Sequence, residues 1–186
     1  MVPLEVRTLV GGLGYRNLRD HSLGVVVSDR LAELEWPEGV LVEDVSYNPI
    51  AVVQRLQDQP VDRVLLVAAI ERPGRAPGTI EAYRWDGALP DAERIQAAVA
   101  EAVTGVILLD NTLVVGRHFG GLPEEVLVVE VEPAIHEFGD DFSPAVAAAF
   151  DRVCELVTRL AKDQDAAPRL PESSLGGGRR VSRDAS

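Results

Sequence analysis

Apolar and polar positions alternate along this chain in a pattern of short strands and amphipathic helices. Residues 64–70 form a continuous apolar run, which predicts a central strand covered on both faces. Residues 6–10 form a shorter run that ends in Gly11-Gly12-Leu13-Gly14, predicting a first strand that delivers the chain to a tight turn. From Ser22 onward, Leu23, Val26, Val27, Leu31 and Leu34 recur at helical spacing until Trp36-Pro37-Glu38-Gly39 stops them. Residues 40–45 predict a second strand, and Pro49 then opens a helix with Ile50, Val52, Val53 and Leu56 on its apolar face.

Beyond residue 70, Pro73-Gly74 and Pro77-Gly78 punctuate a loop, and residues 79–85 alternate as an edge strand or hairpin arm does. Residues 91–103 predict an Ala-rich helix that begins with acidic residues. Residues 106–115 are ambiguous: Val, Ile and Leu favour a strand, while Asp110-Asn111 interrupts any simple alternation. Residues 126–131 predict a strand ending at Glu132-Pro133, and Ser143-Pro144 caps a helix that runs to about Leu160. Strands alternating with helices imply an α/β fold, a three-layer α/β/α sandwich with a mostly parallel central sheet. One domain spans 1–162. Residues 163–186, rich in Gly, Ser, Pro, Asp and Arg, are expected to form a disordered tail. In such a sheet the site lies beyond the carboxyl ends of the strands, here the loops after Val10, Val45, Ile70 and Val131.

Charge and composition narrow the partners. A net charge of -12, with no Lys/Arg cluster in the body to offset it, argues against nucleic acid and anionic membrane surfaces. Cys154 is the single cysteine and falls at helical spacing with Phe150 and Val157, so it is expected to be a small core residue. No stretch approaches the roughly 18 apolar residues of a membrane span, and the N-terminus lacks a secretion-signal layout, which places the chain in the cytoplasm. Ser46 and Ser143 lack a His/Asp set in order and no Gly-x-Ser-x-Gly elbow occurs, so serine hydrolase chemistry has little support. A dinucleotide loop at Gly11-Gly12-Leu13-Gly14 fails because Asn17 stands where the third glycine is required.

The segment from Gly12 to Gly24 resembles the opening signature of the hydrogenase maturation endopeptidases, Gly-x-Gly-Asn-x-x-x-x-Asp-(Asp/Glu)-Gly-x-Gly, with matches at Gly12, Gly14, Asp20 and Gly24. Pro77-Gly78-Thr79, Gly121-Leu122-Pro123, Glu132-Pro133-Ala134, Phe138-Gly139 and Phe142-Ser143-Pro144-Ala145-Val146 resemble later motifs of that family in the same order. The resemblance covers roughly residues 5–160. It implies an endopeptidase that recognises nickel already inserted in the large subunit of a [NiFe] hydrogenase and removes a short C-terminal extension. It also implies a helix, not a strand, near residues 109–115.

Three positions hold the metal in the family so resembled, and they fall on His21, Ala68 and Gly105. Histidine can bind nickel or zinc, but alanine and glycine offer no side-chain donor. The implied partner is therefore a [NiFe] hydrogenase large subunit precursor, bound without cleavage and with no cofactor of the protein's own. The alternative is an active, divergent endopeptidase with substitute ligands. Candidates for these are Asp20, His21, Glu71, His118 and His136 with Glu137, since His136 and His21 fall on the same sheet edge. Each has a plainer reading: Asp20 as a helix cap, Glu71 as a solvated loop carboxylate, His118 as a surface residue near a helix C-terminus.

Overall fold

The computed structural model describes residues 7–177. Strands β1 (Thr8–Leu13), β2 (Val40–Asp44), β3 (Arg63–Ala69), β4 (Ile80–Trp85), β5 (Glu125–Val131) and β6 (Glu172–Ser173) form one sheet in the order β2-β1-β3-β5-β4-β6. β1 pairs in parallel with β2 and β3, β3 with β5, and β6 with β4, while β4 and β5 pair antiparallel. The architecture is the expected α/β/α sandwich.

Side chains of β3 and β5 alternate between two cores, as the pleat requires. Leu65, Val67, Leu127 and Val129 face α1 (Leu23–Ala32) and α5 (Pro144–Lys162), joining Leu23, Val27, Val153 and Val157. Val64, Leu66, Val126 and Val128 face the opposite layer, with Val52 and Leu56 of α2 (Pro49–Asp58) and Leu109 and Leu113 of α4 (Leu109–His118). α3 (Ala92–Val103) closes that layer, packing Ala98 and Ala102 against Val114, Val115 and Val53. Asn48, Asp91 and Ser143 cap α2, α3 and α5 by accepting backbone N–H bonds from Ile50, Arg94 and Val146.

β1 extends through Gly11, Gly12 and Leu13, which the sequence placed in a turn; Val6 lies outside the described residues. The glycines serve close packing instead. A Cβ on Gly12 would stand 2.0 Å from the Gly24 carbonyl oxygen, and one on Gly24 would stand 2.1 Å from the Leu13 carbonyl oxygen. The first turn of α1 thus rests directly on the backbone of β1, a contact no side chain permits.

Residues 109–118 are helical, as the resemblance implied, because α4 buries Leu109, Asn111, Thr112, Leu113, Val114 and Val115 and needs no strand partner. Of the tail expected to be disordered, residues 178–186 lie outside the described residues. Residues 163–177 fold back on the body: Ala166 and Ala167 are buried, β6 pairs with β4, and Leu175 packs on the α3 side. The buried Arg63 guanidinium draws the chain in by donating to the carbonyl oxygens of Leu160, Asp163 and Gln164. Cys154 is free and partly buried against the α1/α5 core. Among the described residues, no helix is long and apolar enough to cross a membrane.

Candidate functional site

A cleft of about 350 Å³ opens at the carboxyl ends of β1 and β3, beside the N-terminus of α4. Its wall carries Tyr15, Ala68, Glu71, Asp110, and two histidines from distant segments, His21 and His136. His136 Nδ1 lies 3.1 Å from His21 Nε2, with the rings edge to face. One ligand atom each from His21, Glu71 and His136 falls within 4.8 Å of the others. Among the described residues this is the only such group of three or more His, Cys, Asp or Glu.

Asp20 brings the histidines together. It is fully buried and accepts bonds from the backbone N–H groups of Ala134 (2.7 Å), Ile135 (3.1 Å) and Ser143 (2.7 Å), and from the Ser143 hydroxyl at 2.7 Å. Burial works to raise its pKa, but these donors prevail and hold the carboxyl below its ordinary value. The expected role of Asp20 as a cap of α1 is not what is found; its oxygens go to the loop after β5, because that loop has unpaired N–H groups inside the fold. The backbones of Arg19 and Gly139, and of Gly139 and Asn17, extend the same clasp. His21 is consequently half-buried. Burial first, and then the neighbouring His136, push its imidazole below the ordinary range, while Glu71 and Asp20 pull the other way.

Under the cleft lies an ionic network that periodicity did not expose. Glu130 is buried near the carboxyl end of β5 and receives bonds from Arg72, from Arg75 and from the Tyr83 hydroxyl at 2.7 Å. Arg72 also donates from Nη1 and Nη2 to the two Asp110 oxygens at 2.8 Å, and its backbone N–H donates to Glu132 at 2.9 Å. The only sequence signal was a carboxylate inside an otherwise apolar strand. The network ties the loop after β3 to the start of α4, fixing two walls of the cleft.

The fold has counterparts among solved structures. The hydrogenase maturating endopeptidase HybD from Escherichia coli superposes with a TM-score of 0.62 at 24% identity, covering 83% of this chain and 91% of its own. A hydrogenase 2 maturation peptidase from a Thaumarchaeota archaeon gives 0.59 at 23% identity, covering 84% and 98%. A third, an endopeptidase from Escherichia coli, gives 0.59 at 25% identity, covering 81% and 89%. The chain has the hydrogenase maturation protease fold. No protein-family model matches it, and no curated protein does.

The motifs that carry the resemblance to the maturation proteases have structural work in this fold. Gly14 would bring a Cβ within 2.3 Å of the His21 carbonyl oxygen, and Gly78, at positive φ, faces the Ala145 carbonyl at the start of α5. Gly121 lies against the Val53 backbone. Ala68 lines the cleft floor, buried, paired in register with Leu13 and Glu130. Gly105 is outside the cleft lining. It ends α3 at a φ of +86°, its N–H donating to Ala102 and that of Val106 to Glu101, so this glycine is a helix stop. His118 is exposed at the last turn of α4, apart from the cleft, and Glu137 reaches back to pair with Arg19.

Proposed function

We propose that this chain is a cytoplasmic hydrogenase maturation protease-like protein that engages the large subunit precursor of a [NiFe] hydrogenase and does not cleave it. The observation that supports this most is the cleft itself. It opens at the strand ends where such sheets hold their ligands, yet its floor presents the methyl group of Ala68. A methyl group cannot ligate a cation or activate water, and Gly105 serves as a helix stop. The family's joint use of three donors therefore does not carry over to these positions, and recognition without hydrolysis is the chemistry left to them.

One observation favours the second reading, a divergent active endopeptidase: His21, Glu71 and His136 converge at the rim of the same cleft. Co-elution separates the partner from the catalysis. A nickel-loaded large subunit precursor carrying its C-terminal extension is expected to run with this protein on a sizing column, and a large subunit lacking the extension is expected to bind more weakly. Failure of the extended precursor to co-elute would refute the partner.

A further inference from the structure

We propose that His21, Glu71 and His136 form a divalent cation site at the rim of the cleft, suited to zinc or nickel. The set is distinct from the three positions that the resemblance assigns, sharing His21 alone. Two imidazole nitrogens on one tetrahedral zinc ion at about 2.0–2.1 Å stand about 3.3 Å apart. The 3.1 Å between His21 Nε2 and His136 Nδ1 is close to that separation, so both nitrogens can reach one ion once the hydrogen bond between the imidazoles gives way. Glu71 is exposed on the loop after β3, and a rotamer change carries its carboxylate inward from within 4.8 Å.

Two imidazoles and a carboxylate are a donor set that borderline cations favour over magnesium or calcium. The site is also held in place before any ion arrives. Asp20 grips the backbone N–H groups of Ala134 and Ile135, the two residues before His136, and itself immediately precedes His21. Tyr15 N–H donates to the His21 carbonyl at 3.0 Å. Three protein donors leave at least one coordination position open toward the cleft, where a peptide carbonyl or carboxylate can bind.

The site does not depend on the identity of the partner and is tested on the purified protein alone. After treatment with a chelator and dialysis, titration with zinc chloride by calorimetry should give one ion per chain. Cobalt(II) should give visible absorption bands of the intensity expected for four-coordination. Glu71→Gln and His136→Ala should each weaken zinc binding by more than about tenfold, the lower end of what the loss of even an outer partner costs a metal site. Both side chains are exposed, so thermal melts of the metal-free variants should match that of the parent and exclude misfolding. An unmoved affinity in both variants, or no bound ion in the parent, would overturn the site and leave the two imidazoles as a hydrogen-bonded pair. Neither result bears on co-elution of the metal-free protein with a precursor.

Discussion

Glu130 has no basic neighbour in its strand: between Glu125 and Glu132 it is surrounded by valines and a leucine, and it is fully buried. Burial alone would raise its pKa, but Arg72 by hydrogen bond and charge, with Arg75 and Tyr83, holds the carboxyl below its ordinary value. Tyr83 is pushed far up in turn, first by burial and then by the Glu130 charge, and stays a donor. Because the folded pKa lies below the unfolded value of about 4.3, the stabilisation is complete above that value and is lost as pH falls through the folded one. Glu130→Gln should therefore cost about 3 kcal/mol at pH 7 by leaving Arg72 and Arg75 short of a counter-charge. The gap between parent and variant should narrow below about pH 4. Urea unfolding across a pH series checks both; a constant gap would contradict the charge account. Glu130 passed unremarked inside the strand predicted over 126–131, and its partners lie too far along the chain for any local pattern to name them. Asp20 was equally opaque. A carboxylate before a helix suggests a cap, and only the fold reveals that residues 134, 135 and 143 need it more.

At the scale of elements, the strands and helices were legible wherever burial is one-sided or complete, because period and packing then say the same thing. Residues 106–115 were not, since a helix buried on most of its surface has the apolar content of a strand. Motif order resolved that segment where propensity could not. The residues after α5 misled for the opposite reason. Their composition promises little hydrophobic gain, and what docks them is the demand of one buried cation, Arg63, for carbonyl acceptors. Ending the chain after Lys162 removes two of those acceptors and the β6 strand. Leaving a buried guanidinium short of partners costs about 2–3 kcal/mol, which for a domain of this size lowers the melting temperature by about 5–10 °C. A truncated chain that melts within a degree or two of the full one would show that residues 163–177 contribute nothing to the body.

On the scale of the whole molecule, the packing glycines Gly12, Gly14 and Gly24 set how closely α1 and its preceding loop approach the sheet. The cleft is a product of that approach. Its location was legible from topology, but its chemistry was only half so: the residues at 68 and 105 could be read directly, whereas the meeting of His21, Glu71 and His136 needed the Asp20 clasp to bring segments more than a hundred residues apart into contact. Retained shape with altered donors is the central claim. Intact-mass spectrometry of a nickel-loaded [NiFe] hydrogenase large subunit precursor, incubated with stoichiometric protein and zinc, tests it most directly. The account predicts a complex in which the precursor keeps its full mass. Loss of the C-terminal extension, abolished by Glu71→Gln, would contradict it and make the rim histidines and Glu71 the centre of a working peptidase.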